Sequence, residues 1–195
     1  MKIDRLVQIK ANNLKPVKGQ VLLSEPFMGD FYFGRSVILL AEHNAEGSFG
    51  LILNKSVTTK LSDALKDFAN LDIPMFLGGP VDANRLFFIH TLGERIESSI
   101  PLMEGLYWGG SMESVQEMAS LNLLNKDNIR FFLGYSGWGA HQLEDELARN
   151  SWAVTRIKPL QIFQTKPRML WNLLTRQLGA EYQLWHKFPA DPTMN

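Results

Sequence analysis

A chain of 195 residues and 22.2 kDa fits one domain and can bury a sizeable core, about 70 % of its extended-chain surface at this size. Hydrophobic residues at 45 % and charged residues at 21 % match globular usage and exclude intrinsic disorder over most of the length. Basic and acidic side chains balance to zero net charge, a poor basis for holding nucleic acid by charge alone, and zero Cys excludes disulfides, thiolate catalysis and Cys-ligated metals.

The opening MKIDRLVQIKANNLK has no apolar signal-peptide core, and no apolar run reaches a membrane span of about 18 residues. A cytoplasmic location without membrane attachment is therefore expected. Residues 1–18 read as an N-terminal extension, 19–187 as one domain, and 188–195, with Pro189 and Pro192, as a loose tail. Charge is zoned: residues 1–20 and residues 151–195 each carry net +4, so the middle carries −8. Solvated surface plus attraction between ends and body accounts for this most simply. A basic face for an acidic partner is the sharper reading.

GQVLLSEP, bounded by Gly19 and Pro26, reads as a strand. RSVILLAEH is a continuous apolar run, as in a strand buried on both faces. EHNAEG is a turn cluster, and SFGLILN returns as a hairpin strand in which Gly50 marks a bulge or a close backbone approach. LSDALKDF places Leu61, Leu65 and Phe68 on one helical face. MFLGGPV is a strand ending in a Gly-Gly-Pro turn, NRLFFIHTL another strand, and SIPLMEGLYWGG a broken β segment turning at Gly105. MESVQEMASLNLL is a helix capped by Ser111. IRFFLGYSGW is a strand entering a Gly-rich turn, followed by helix AHQLEDELARN with Leu143 and Leu147 inward and Asn150 as a left-handed end. SWAVTRI is a last strand. TKPRMLWNLLTRQLG is a last helix, entered through Pro167 and closed by Gly179, with Met169, Leu170, Leu173, Leu174 and Leu178 as its apolar stripe. Strands cluster first and helices intersperse later, which predicts an α+β fold with a mixed sheet.

The chemical templates fail one by one. GYSGWG suggests a nucleophile elbow at Ser136, but Trp138 stands where the elbow needs Gly, so Ser136 reads as a backbone-turn residue. His141, Glu144 and Asp145 could share a helix face, yet no second Glu/His pair completes a metal site, and no metal is expected. Neither phosphate-loop motif occurs. The Gly-rich helix entry would carry Glu144, Asp145 and Glu146 in its first turns, which repel an anion, so no cofactor is expected. Aromatics and cations interleave in MLWNLLTRQ and QLWHKF, but Trp171 lies beside the apolar stripe and no helix-turn-helix can be placed. Direct nucleic-acid binding is disfavoured. His43 and His90 each end an apolar strand, where a satisfied edge His is the ordinary finding.

Four blocks in fixed order carry a family resemblance: GQVLLSEPFMGDFYFGRSVILLAEH, GSFGLILNK, FLGGPVDANRLFFIHTL and RFFLGYSGWGAHQLEDEL. Their markers are Arg35-Ser36, Glu42-His43, Gly50 with Asn54, Gly78-Gly79-Pro80-Val81, His90, and Gly134-Tyr135 through Gly137-Trp138 to Gln142-Leu143-Glu144. Jointly they resemble the AlgH/YqgE family of bacterial proteins over roughly residues 19 to 185. Ala140 and His141 replace the family's usual Pro-Gly, and Glu25 stands where the family prefers Ala. The resemblance implies an α+β fold whose mixed, bent sheet closes into a pseudo-barrel with surrounding helices. It implies no established catalytic activity or cofactor. The family's name comes from a proposed role in regulating alginate synthesis, which does not transfer to an arbitrary member.

The leading expectation is a cytosolic, non-enzymatic regulatory or protein-interaction protein. Its candidate surface is Arg35, Ser36, His43, Asn54, His90, Tyr135, Trp138, Gln142 and Glu144. Arg35 would supply a bidentate anion contact, Asn54 and Gln142 donors and acceptors, and Trp138 a stacking face. Gln142 and Glu144 fit a helix-orienting role equally well. The competing expectation is a small-molecule-binding protein or enzyme at the Gly-rich strand ends, with His43 or His90 as acid–base and Ser36 or Arg35 holding an anionic group. That reading needs these side chains in one cleft. The partner would be an unidentified protein or small ligand.

Overall fold

The computed structural model describes residues 12, 14–65, 68 and 71–185. In chain order these form β1 (Val21–Ser24), β2 (Val37–Asn44), β3 (Gly47–Ile52), β4 (Ser56–Lys60), α1 (Leu61–Ala64), β5 (Pro74–Leu77) and β6 (Val81–His90). Next come β7 (Ile100–Met103), β8 (Leu106–Trp108), α2 (Met112–Ser120), β9 (Ile129–Gly139), α3 (Gln142–Ala148), β10 (Trp152–Thr155), α4 (Pro159–Gln164) and α5 (Pro167–Gln177).

The sheet runs β10-β1-β2-β3-β9-β6-β8-β7, and β4 joins it through β5, which pairs with β9. Among the described residues only the β5–β9 ladder is parallel. Strand β9 is the hub: its first half takes β5 and β6, and its second half takes β3, with Gly47 opposite Gly139 and Gly50 opposite Ser136. The expected turn at GYSGWG is therefore strand, because β3 supplies hydrogen-bonding partners through Gly139. A bulge lies between Leu40 and Glu42, opposite Gly50 and Phe49. It offsets the end of the β2–β3 hairpin from its base.

The α+β class and mixed sheet hold; the closed pseudo-barrel does not. The sheet curls until Gly19, just before β1, lies against Leu102 and Met103 of β7. Yet among the described residues no ladder joins β7 to β10, and the sheet stays open. The physical reason is visible at β10. Its Val154 N–H donates to Asn12 Oδ1 at 2.8 Å, and Asn12 Nδ2 donates back to the Val154 carbonyl. A side-chain amide thus occupies the edge that a closing strand would need.

Strand β2 is buried on both faces, as its continuous apolar run predicts. Leu39 joins one core cluster with Phe132, Leu170, Trp171 and Leu174, beneath α4 and α5. Ile38 and Leu40 join another with Trp138, Leu143 and Trp152, beneath α3. A third cluster packs Val115 and Met118 of α2 on Met75, Phe88 and Phe131. Ser111 caps α2 by accepting from Ser114 N–H at 3.2 Å, and Asn150 ends α3 in the left-handed region.

Four elements differ from expectation. Helix α1 stops at Ala64 because Leu65 is extended, and Lys66 and Asp67 lie outside the described residues. Helix α4, entered through Pro159, and strand β4 carry too short an apolar pattern to be read from sequence. In the last helix Trp171 is 2 % exposed and in the core, whereas Met169 of the predicted stripe is exposed. Residues 1–11 and the 188–195 tail lie outside the described residues.

Candidate functional site

The nine candidate residues fall in three places. The first is the base of the β2–β3 hairpin. Asn54 Oδ1 accepts from Val37 N–H at 2.8 Å, and its Nδ2 donates to the Arg35 carbonyl at 2.9 Å. Ser36 is fully buried, and its N–H donates to Ser24 Oγ at 2.8 Å. Arg35 holds a left-handed backbone, and its guanidinium lies 5.0 Å from the Trp171 ring. Partial burial pushes its pKa down. These groups close the long β1–β2 loop onto the core.

The second place is the hairpin tip, seven residues along β2 from Ser36 and so about 20 Å away. His43 Nδ1 meets Ser48 Oγ at 2.7 Å, and His43 Nε2 lies 3.9 Å from Glu144 Oε1. Trp138 is no stacking face: it is 6 % exposed. Its Nε1 donates to Glu146 Oε2 at 2.9 Å, and the same oxygen accepts from Trp152 Nε1 at 2.7 Å. Gln142 Oε1 accepts from Gly139 N–H at 3.0 Å and its Nε2 donates to Glu146 Oε1 at 3.0 Å, which fixes the start of α3. The Tyr135 ring packs tilted on Phe49, 4.7 Å between centroids.

The third place is the end of β6. His90 is fully buried and pairs with Ile129 at the opposite end of β9 from Trp138, nine residues or about 30 Å away. Its Nε2–H donates to the Gly109 carbonyl at 3.2 Å, and its Nδ1 accepts from Leu92 N–H at 3.3 Å. Burial pushes its pKa down, partly offset by the Gly109 carbonyl. His43 and His90 therefore lie at opposite ends of β9, and His43 stands most of a strand length from Ser36. The proton relay that an acid–base reading requires is not assembled.

Ser136 is buried too, with its Oγ donating to the Gly78 carbonyl at 3.1 Å. Gly78 and Gly79 lie flat on β9, where an added Cβ would strike the Gly134 carbonyl and the Tyr135 backbone. Gly78 and Gly79 thus serve close backbone contact. Among the described residues no three His, Asp or Glu side chains gather into a metal-sized group.

The tip carries a shallow groove of about 480 Å³ whose floor is Phe49, Val81 and Tyr135 and whose rim is Glu42, Asn44 and Glu46. Sequence reasoning missed Phe49 and Glu146 here, and it missed Arg130 on β9. Arg130 was discoverable as the lone cation inside the apolar strand IRFFL.

An open, mixed α+β sheet is the class that this fold defines, and residues 21–183 match the AlgH-like family model. This chain belongs to the AlgH-like family. It is 39 % identical to a UPF0301 protein of Bacteroides thetaiotaomicron over the full length of both chains. It is 41 % identical to a UPF0301 protein of Cytophaga hutchinsonii over 91 % of this chain and 98 % of the relative. Among solved structures, AlgH of Pseudomonas aeruginosa superposes with a TM-score of 0.70 at 27 % identity, covering 91 % of this chain and 98 % of that one. A Corynebacterium diphtheriae protein gives 0.78 at 22 % identity, covering 96 % and 100 %. Among the described residues no helix is long and apolar enough to cross a membrane.

Proposed function

We propose that this chain is a non-enzymatic regulatory protein of the cytosol that acts by binding another protein at the hairpin tip. The observation that carries this reading is the groove itself. Aromatic surface at Phe49 and Tyr135 is rimmed by the exposed carboxylates of Glu42 and Glu46. An aromatic floor anchors a partner side chain, and an acidic rim selects a basic segment and steers it in. The separation of His43 from both His90 and Ser36 supports a binding role over catalysis.

A photo-crosslinking residue at exposed Asn44 tests this in cells. Crosslinks to a defined protein are expected, and Glu42→Lys with Glu46→Lys should remove them. The interaction should also weaken between low and physiological salt, since exposed charges are screened over about 10 Å. A crosslink pattern unchanged by the double charge reversal would end the proposal.

A further inference from the structure

The open seam of the sheet holds a second cleft, far from the groove. One part, about 680 Å³, lies between Met103 at the end of β7 and Ile157, Leu160 and Phe163 of the β10–α4 segment. Its size falls in the roughly 300–1,000 Å³ range of small-molecule sites. Leu160 is 63 % exposed on a short helix whose Ile162 is fully buried, so an apolar side chain faces water at the cleft mouth.

The adjoining part, about 400 Å³, shares Asp127, Phe163 and Gln164 with the first and has Lys126, Arg130 and Lys166 in its walls. Arg130 is 5 % exposed and belongs to none of the ion pairs among the described residues. It donates to the Leu53 carbonyl at 2.9 Å and to the Ile162 carbonyl at 2.6 Å, with its guanidinium 4.2 Å from the Phe76 ring. Those are two of the five N–H bonds a guanidinium offers. Burial pushes its pKa down to about 10, which leaves it cationic at neutral pH. Helix α5 starts at Pro167 in the same wall, with no side-chain cap and no acid in its first turn, so its positive end adds to the field. Asp127 is the only carboxylate in this part, against three cations. In the first part, Glu104 and Asp127 outnumber Lys158. The cleft is thus polarised, apolar at one end and cationic at the other.

We infer that this seam binds a small amphiphilic anion, its apolar body against Met103, Leu160 and Phe163 and its anionic head at Lys126, Arg130 and Lys166. The inference is independent of the groove, because the two sites share no residue.

The test is titration of the full chain, labelled at Met and Leu methyls, with decanoate, decyl phosphate and decyltrimethylammonium, each below its micelle concentration. Decanoate or decyl phosphate should shift the Met103 and Leu160 methyls, and their relative affinity tells a carboxylate from a phosphate head. The cationic amphiphile should bind at least tenfold more weakly. Lys126→Glu with Lys166→Glu should weaken the anions at least tenfold, and Leu160→Glu should abolish binding. All three positions are exposed, so thermal unfolding should stay unchanged and report intact folding. No methyl shift at millimolar anion, equal affinity for the cationic amphiphile, or full affinity in the lysine variant would each overturn the inference.

Discussion

The hairpin tip and the open seam are built on opposite logics. At the tip, polar side chains answer one another: Gln142, Glu146, Trp138 and Trp152 form a closed hydrogen-bond set, and His43 is held by Ser48. At the seam, Arg130 is buried against carbonyls and aromatic rings with no carboxylate in an ion pair, and two lysines stand beside it. Polar sets satisfied within the protein stabilise a fold, whereas charge left without an opposite partner is available to a ligand. The difference teaches that the residues most conspicuous in the sequence mark where backbones meet. The seam is conspicuous only in three dimensions.

The sharpest way to break this contrast is to attack the backbone contact. Gly79 holds a positive φ of 156°, and a Cβ there would strike the Tyr135 backbone and Ser136 N. Gly79→Ala should cost about 3 kcal/mol or more, read as the shift in urea midpoint, because backbone cannot yield as a flexible side chain can. A loss below 1 kcal/mol would mean that the β5–β6 turn is not pressed onto β9. Next, Glu146→Ala should cost about 2–3 kcal/mol by leaving two indole N–H groups without an acceptor. Glu146→Gln keeps an acceptor oxygen and should lose less than half as much. Equal losses would show that charge and not hydrogen bonding holds the pair. A smaller effect, about 1–2 kcal/mol, is expected for Asn54→Ala, which orphans the Val37 N–H and the Arg35 carbonyl at the hairpin base. Were Asn54 instead a ligand-binding group, stability would not move.

Most of the fold was legible because its elements announce themselves locally. RSVILLAEH is apolar at every central position, Ser111 and Pro167 open helices, and Asn150 closes one. What was not legible depends on partners distant in sequence. The extension of β9 through GYSGWG needs β3, and the open edge at β10 depends on Asn12, 142 residues away. The candidate site suffered from the same limit. Arg35, His43 and His90 each sit beside a strand end, but nothing local says that these are three different ends. Tyr135 and Glu144 were named for the tip, whereas Phe49 resembled any other core aromatic until its ring met Tyr135.

The smallest effect probes His90, at the end of β6 and outside both regions. Its imidazole is enclosed, with Nε2–H on the Gly109 carbonyl and its other face on the Tyr107 ring, 5.7 Å between centroids. Burial lowers its pKa in the folded state, so below the unfolded value of about 6.5 the unfolded chain binds more protons. The stability from keeping His90 neutral is therefore fully present above that value. It should decline as pH falls through 6.5 towards the lower folded pKa, and level off beneath it. Urea midpoints measured from pH 7.5 down to 5 should fall for the parent chain. His90→Gln retains a donor for the Gly109 carbonyl but cannot titrate, so it should flatten that segment of the profile. An unchanged slope would mean that the ring protonates as readily in the folded chain as in the unfolded one. In that case His90 would be solvent-reachable and would return as an acid–base candidate.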